Sequence, residues 1–200
     1  HEIILSNDGK KLIVANGGIL THPDFPRQKL NLATMQSSIT YIDIKTGALI
    51  ENVLLPEKYQ QLSIRHIAQS GDGTVWYGGQ YQGGSTTSIE LAGSHLQGQE
   101  IKPLQLPHQT YNIMNHYVGS VCFNDQTGEF AFSCPRGNAW FVYDTLTAML
   151  RSETVLEDVC ALAPKDDSFL AFSGTGKISD GGNTTNKQGR YKWDNHSARI

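Results

Sequence analysis

The stretch SNDGKKLIVANGG, residues 6–18, combines a tight turn with a strand-forming run. Asn7-Asp8-Gly9 suits a hairpin turn, because Asp and Gly tolerate the positive φ angles that such a turn requires. The run LIVA that follows is apolar and rich in β-branched residues, and the run EIILS precedes the turn. Residues 2–16 therefore predict a β-hairpin.

The same hairpin signal occurs four times along the chain. The later turns lie at residues 71–73, 124–128 and 165–168, each between two apolar runs. A third strand follows in ITYIDIKTG, in WFVYDTLTA and in the opening of YKWDNH, each with an aspartate after an aromatic or branched run. ALIENVLLP, GQEIKPLQLP and TAMLRSETVL predict a fourth strand. A four-stranded antiparallel unit that returns along the chain is typical of a β-propeller blade.

We therefore expect one all-β segment over residues 1–200, with about four blades at approximately 1–56, 57–107, 108–156 and 157–200. The expected strands are 2–6, 11–16, 39–44, 49–55, 62–69, 74–79, 87–92, 100–106, 117–123, 129–134, 139–144, 149–155, 158–163, 169–173 and 190–194. No long window carries apolar residues at helical spacing, so no helix of three turns or more is expected in these spans.

Composition narrows the function classes. The chain carries 16 Lys and Arg against 19 Asp and Glu, and its longest basic run is Lys10-Lys11, which disfavours nucleic-acid binding. No window approaches the roughly 18 apolar residues of a membrane span. Cys122, Cys134 and Cys160 lie in apolar runs and are best interpreted as buried thiols, although a Cys122–Cys134 bridge across one hairpin is an alternative.

The long insertions predict where a ligand would bind. Strand alternation sends residues 17–37, 78–87, 107–116 and 174–189 to one face, opposite the short turns, and long loops on a rigid scaffold commonly carry binding sites. Near the central axis on this face we expect a polar, net-basic mouth. Its candidate residues are His22, Arg27, Arg65, His66, Gln80, Tyr81 and Arg136.

The chemistry of these residues favours binding over catalysis. The three arginines suit an anion or a carboxylate, and the histidines suit a metal or a proton. The alternative is that the arginines pair with local carboxylates and the histidines hydrogen-bond loop backbone. His22-Pro-Asp24 fits either two metal ligands or a turn. Common catalytic motifs are absent from the sequence, so catalytic residues, metal and cofactor stay unknown.

Six ordered motifs resemble a bacterial family known as domain of unknown function 1513. They are HEIILSNDGKKLIVANGGILTHPDFPRQKLNL, LSIRHIA, GGQYQG, YVGSV, SCPRG and the terminal WDNH. The resemblance implies a seven-bladed propeller, similar to quinoprotein amine dehydrogenases or YVTN repeats, of which this chain is the C-terminal portion. It implies export to the periplasm and a role in iron acquisition beside imelysin-like and di-haem proteins. It also adds Asn31 to the candidate ligand-binding residues of the mouth, and draws attention to His196 without assigning it a role.

These observations favour a non-enzymatic periplasmic binding or scaffolding propeller. The alternatives are an accessory subunit or enzyme of periplasmic redox chemistry, and a purely structural interaction domain. Four blades cut from a larger ring would leave one apolar face uncovered at each end, around EIILS and LIVA in the first blade and ALA and FLAFS in the last. We therefore expect association through these faces, with preceding blades or with a second copy.

Overall fold

The computed structural model describes residues 1–24, 28–84, 86–186 and 192–194. These residues form four four-stranded antiparallel sheets, each with its strands paired in chain order. Sheet 1 contains β1 (Glu2–Leu5), β2 (Lys11–Asn16), β3 (Ser38–Asp43) and β4 (Leu49–Leu54); sheet 2 contains β5 (Leu62–Gln69), β6 (Val75–Tyr81), β7 (Ala92–His95) and β8 (Lys102–Pro103). Sheet 3 contains β9 (Ser120–Asn124), β10 (Glu129–Cys134), β11 (Ala139–Asp144) and β12 (Met149–Val155); sheet 4 contains β13 (Val159–Lys165), β14 (Ser168–Ser173), β15 (Lys177–Asp180) and β16 (Asn183–Asn186).

The all-β prediction is confirmed, and the four sheets are of the kind expected for propeller blades. Helical structure in the described residues is limited to α1 (His108–Met114) and to the 3-10 turns Glu57–Tyr59 and Pro135–Gly137. Helix α1 has seven residues, about two turns, and lies in a predicted insertion between sheets 2 and 3. None of the described helices is long and apolar enough to cross a membrane.

The third strand of sheet 2 lies further along the chain than predicted. Apolar side chains suggested a strand at 87–92, but β7 is Ala92–His95, and the buried residues Ile89 and Leu91 precede it. Small residues make the pairing here because β7 passes close to β6: a Cβ on Gly93 would lie 2.5 Å from the Tyr77 hydroxyl. Packing, not apolar character, therefore selects the paired segment.

The prediction for the third and fourth strands of sheet 4 was also wrong. Its third and fourth strands lie within 177–186, inside the span predicted as a loop. Gly181 and Gly182 have φ angles of 54° and 92°, so this glycine pair supplies the hairpin turn. Residues 192–194 are not a strand, and the Trp193 ring instead packs 5.2 Å from that of Phe172. Tyr191 lies outside the described residues.

The sheets pack face to face in chain order. One core cluster spans sheets 1 to 3 and a second spans sheets 3 and 4. At the centre of the first, the Trp76 ring of sheet 2 stacks on Phe123 and Phe130 of sheet 3, at 5.8 and 5.3 Å. The inner strands β1, β5, β9 and β13 pack on one another in this order, and no comparable packing joins β13 to β1 in the described part of the chain.

Polar contacts join neighbouring sheets at both ends of the inner strands. On the turn side, the Asn7 side-chain amide donates to the Ser70 carbonyl at 2.9 Å, and the Asn124 side-chain amide donates to the Asp166 and Ser168 carbonyls. On the opposite side, the Ser133 hydroxyl donates to the Cys160 carbonyl at 2.6 Å. These bonds therefore tie neighbouring sheets together at both ends of the inner strands.

The three cysteines are free and buried, as interpreted from the sequence. Cys134 belongs to the core cluster that sheet 3 shares with sheet 2, and Cys122 belongs to the cluster shared with sheet 4. Their side chains therefore lie on opposite faces of sheet 3, which is incompatible with a disulfide between them.

Candidate functional site: a cationic mouth at the loop-bearing ends of the strands

Arg65 occupies a β-bulge on the inner strand of sheet 2. Ile64 pairs with Gly79 and His66 pairs with Gly78, so Arg65 is an extra residue with no partner in β6. A bulge re-aims the side chain of the inserted residue, and bulges are frequent beside functional sites. The Arg65 Nε atom is buried without a hydrogen-bond partner in the described structure. Burial lowers the pKa of this guanidinium, and the charge of Arg136 lowers it further, while Tyr117 opposes the change.

The Arg65 side chain lines a cleft of about 520 Å³ between sheets 1 and 2. This volume is in the range of small-molecule sites. The lining residues come from the end of β2, the first insertion and the inner strands: His1, Asn16, Gly17, Gly18, Ile19, Thr21, Lys29 and Arg65. A Cβ on Gly17 would lie 2.7 Å from the Ser63 hydroxyl, so this glycine allows the two sheets to approach closely.

Asn31 shapes the wall of the cleft rather than entering it. Its side-chain oxygen accepts a hydrogen bond from the Leu20 amide at 2.7 Å, and its side-chain nitrogen donates to the Gly18 carbonyl at 2.9 Å. These two bonds bracket Ile19, which lines the cleft. Asn31 is therefore a structural clamp for the first insertion.

Arg136 approaches the same end of the strands from sheet 3. It lies in the 3-10 turn after β10, is exposed, and places its guanidinium carbon 5.2 Å from the centre of the Tyr117 ring. Tyr117 forms an isolated antiparallel bridge with Gln80, at the end of β6. Tyr81 packs edge-on against His116, with ring centres 5.7 Å apart. The junction of sheets 2 and 3 thus brings Arg136 and Gln80 to Tyr117.

The histidines differ in their surroundings. His66 is buried, with its Nδ1 atom 3.7 Å from a carboxylate oxygen of Glu2. The same Glu2 oxygen accepts a hydrogen bond from the Ile67 amide at 2.6 Å. His22 is half exposed, and its Nδ1 accepts a hydrogen bond from the Asp24 amide at 3.2 Å, which favours the turn interpretation of His22-Pro-Asp24. Arg27 and His196 lie outside the described residues.

Sequence reasoning missed part of the cleft. Asn16, Gly17, Gly18, Thr21 and Lys29 line it, and Lys29 also donates to the Gln82 side chain. The glycine pair that ends β2 was the available signal, because adjacent glycines at a strand end mark a close backbone approach. No group of three or more His, Cys, Asp or Glu that could hold a metal occurs among the residues described by the structure.

Comparisons with known proteins identify a family and similar folds. A family model described as "Protein of unknown function (DUF1513)" matches residues 1–200. No curated protein matches the chain. The structure of U3-55K is similar at a TM-score of 0.59 and 13% identity, over 88% of this chain and 46% of that one. The computationally designed Ika8 protein is similar at 0.57 and 16%, over 90% and 45%. This chain thus matches less than half of either structure.

Proposed function

We propose that this chain, which belongs to the DUF1513 family of proteins of unknown function, is a segment of a non-enzymatic β-propeller that binds a small anionic ligand at its loop-bearing mouth. Arg65 carries the proposal. A bulge directs this arginine into a cleft of about 520 Å³ that Lys29 also lines. The guanidinium is partly buried and its Nε makes no hydrogen bond in the described structure, so an anion would compensate its charge.

The alternative, that the arginines serve as structural ion pairs, has less support. In the described part of the chain, neither Arg65 nor Arg136 lies within 4.0 Å of a carboxylate. By contrast, Arg151 does pair with Glu129 on the outer part of sheet 3. The contrast between these arginines favours a ligand role for the two at the mouth.

The proposal also includes the number of blades, the cellular location and the biological role. The ordered motifs that resemble the family support a ring of seven blades, a periplasmic location and a link to iron acquisition. In that setting the anion would be a carboxylate that carries ferric iron, and the loop-bearing mouth would be its receptor. Ferric citrate and iron-free citrate are therefore the informative pair of probes.

The experiment titrates the protein with citrate and with ferric citrate. Isothermal calorimetry measures the affinity, and changes in backbone amide chemical shifts locate the binding site. We expect saturable binding, with shifts that concentrate at Gly17, Gly18 and Arg65. Arg65→Gln should weaken the binding at least about tenfold, because it removes charge-assisted hydrogen bonds. Lys45→Gln is the matched control, since Lys45 is exposed in the turn after β3.

Two outcomes would contradict the proposal. One is the absence of saturable binding for citrate, ferric citrate, sulfate and phosphate alike. The other is binding whose shifts map to the turn side or whose affinity is unaffected by Arg65→Gln. Equal affinities for citrate and ferric citrate would remove the iron link while leaving anion binding intact.

A further inference from the structure

We propose that a second cavity, in the seam between sheets 3 and 4, binds a neutral polyhydroxy compound such as a monosaccharide or a cyclitol. The cavity has a volume of about 300 Å³, at the lower end of the range for small-molecule sites. Its walls are formed by β10, β11 and β12 of sheet 3 and by β14 and the adjoining turns of sheet 4. The Arg65 cleft lies between sheets 1 and 2, so this inference stands independently of the proposed function.

Glu129 supplies this cavity with an acceptor that the protein does not fully use. Its side chain is only 5% exposed, and one carboxylate oxygen accepts a hydrogen bond from Arg151. The other carboxylate oxygen accepts none from the described residues, although a carboxylate can accept several hydrogen bonds. This second oxygen is therefore available to a hydroxyl group of a ligand.

Trp140 supplies a donor in the same cavity. Its ring is almost fully buried and lies edge-on to Phe169, with ring centres 6.4 Å apart. The Trp140 Nε1 atom has no hydrogen-bond partner in the part of the chain that the structure describes. The Trp76 Nε1, by contrast, donates to the Ser70 hydroxyl at 3.2 Å. Because a buried indole N–H usually has a partner, the Trp140 group favours a ligand oxygen at this site.

Hydroxyl groups complete the polar lining. By strand register, Thr154 lies opposite Trp140 and Ser152 lies opposite Val142, so both hydroxyl side chains share one face of sheet 3 with the indole. Ser168 lines the cavity from sheet 4. Among the described residues, no hydrogen bond engages any of these three side-chain hydroxyls. Each of them can both donate and accept.

The charges of the lining favour a neutral ligand. Arg151 and Glu129 neutralise each other, and Asp167 is exposed, where water and salt screen its charge. A charged ligand would lose its hydration without gaining a free counter-charge. The hydroxyls of a polyhydroxy compound both donate and accept, which matches a carboxylate oxygen, an indole N–H and three hydroxyls. Its C–H groups can contact Val142 and Phe169, which also line the cavity.

The test titrates the folded chain with D-glucose, D-galactose, D-mannose and myo-inositol. Isothermal calorimetry measures the affinity, and NMR follows the indole N–H signals, with Trp140→Phe used to assign that of Trp140. We expect saturable binding of at least one neutral probe that shifts the Trp140 signal and leaves those of Trp76 and Trp193 in place. Glucosamine and glucuronate, which carry a charge on a similar ring, should bind more weakly than the neutral probe.

Variants locate the binding groups. Glu129→Gln should weaken binding at least about tenfold, because it removes a charged acceptor, and Thr154→Val should weaken it about two- to tenfold while keeping the side-chain shape. Glu153→Gln is the matched control, since Glu153 is exposed on β12 and pairs with Phe141 on the opposite face of sheet 3. Circular dichroism should verify folding, and Thr154→Val carries the test if Glu129→Gln does not fold.

Three results would overturn the inference. The first is that no neutral probe shifts the Trp140 signal saturably. The second is an affinity that Thr154→Val and every folded Glu129 variant leave unchanged. The third is tighter binding of glucosamine or glucuronate than of any neutral probe, which would indicate a site for charged ligands. Arg65→Gln should not alter the affinity for the sugar, and a loss in that variant would place the ligand at the mouth instead.

Discussion

At the scale of single residues, some buried polar groups have hydrogen-bond partners within the protein and others do not. His95 and Tyr41 are both almost fully buried and satisfy each other: the Tyr41 hydroxyl lies 2.7 Å from His95 Nδ1, and His95 Nε2 lies 2.9 Å from the Gln99 carbonyl oxygen. Arg65, by contrast, has a buried Nε without such a partner. The first arrangement satisfies both groups within the protein, whereas the second leaves a buried donor at the wall of the cleft.

Replacing Arg65 with methionine separates these two roles. Arg65→Met removes a partly buried charge that lacks a carboxylate partner, so the free energy of unfolding should stay unchanged or rise by up to about 1 kcal/mol. For a chain of this size, that is up to about 2–4 °C in Tm. Thermal unfolding at low ionic strength measures the change. A loss of more than about 2 kcal/mol would instead indicate a structural ion pair.

His95 predicts a specific pH dependence. The Gln99 carbonyl requires a proton on Nε2, so Nδ1 accepts the Tyr41 hydrogen bond and the ring is neutral. Burial lowers the pKa of His95 from its ordinary value of 6.5, although Glu51 and the Gln99 carbonyl oppose this shift. As pH falls below 6.5, the unfolded chain therefore takes up the proton more readily than the folded one, and stability decreases.

His95→Gln tests this dependence, because glutamine still offers an acceptor and a donor but does not titrate. Urea unfolding at pH 7.5, 6.5 and 5.5 should show a decline for the unaltered protein that is smaller for the variant. The difference between the two profiles isolates His95 from the other histidines. If stability falls with pH equally in the variant and the unaltered protein, His95 has the same pKa in the folded and unfolded states.

At the scale of elements, close approach between neighbouring sheets depends on glycine. Gly78 in β6 faces sheet 3, and a Cβ there would lie 2.4 Å from one methyl of Val118 and 2.8 Å from one of Val121. The inner strand β9 and the segment before it therefore rest directly on the backbone of β6. This contact holds the segment that carries Tyr117 against β6, so it supports the loop-bearing end of sheet 2 as well as the fold.

Gly78→Ala should accordingly destabilise the chain by about 1–3 kcal/mol, the usual cost of overpacking. Gly84→Ala is the matched control, because among the described residues its added methyl would meet only the Thr87 hydroxyl, at 3.8 Å, and neither glycine has a positive φ angle. Chemical unfolding of both variants measures the difference. Equal stabilities would mean that sheets 2 and 3 separate at little cost.

At the scale of the whole molecule, the stack of sheets has unequal ends. Sheet 1 presents one face to sheet 2, and no other described sheet packs on its second face, where Ile3 and Leu5 are 63% and 53% exposed. By strand register, that face comprises Ile3, Leu5, Leu12, Val14, Asn16, Ser38, Thr40, Ile42, Leu49, Asn52 and Leu54. None of these side chains is charged. At the other end, Leu170 and Phe172 are half-buried rather than bare, and Trp193 packs on Phe172.

The uncharged face of sheet 1 predicts association. We expect light scattering to show species larger than a monomer for the isolated chain, because several exposed aliphatic side chains on one face are costly in water. Leu5→Lys should shift the chain towards monomer. Leu146→Lys should not, since Leu146 is 93% exposed in the turn after β11 and lies outside this face. A stable monomer of the unaltered chain would contradict the prediction.

The sequence by itself determined the repeating unit, because turn residues and apolar alternation are local: the hairpins at Asn7, Asp72 and Asp125 all form where their patterns predict them. Local patterns failed where packing selects among similar segments. In sheet 2 the paired segment is β7, because its Gly93 fits against Tyr77. In sheet 4 the outer strands are β15 and β16, which lie before Trp193 in the chain. For the same reason, the sequence predicted only part of the candidate site. Arg65 and Arg136 could be chosen by residue type, but the bulge that aims one and the turn that holds the other depend on contacts between sheets, which no single stretch of chain encodes.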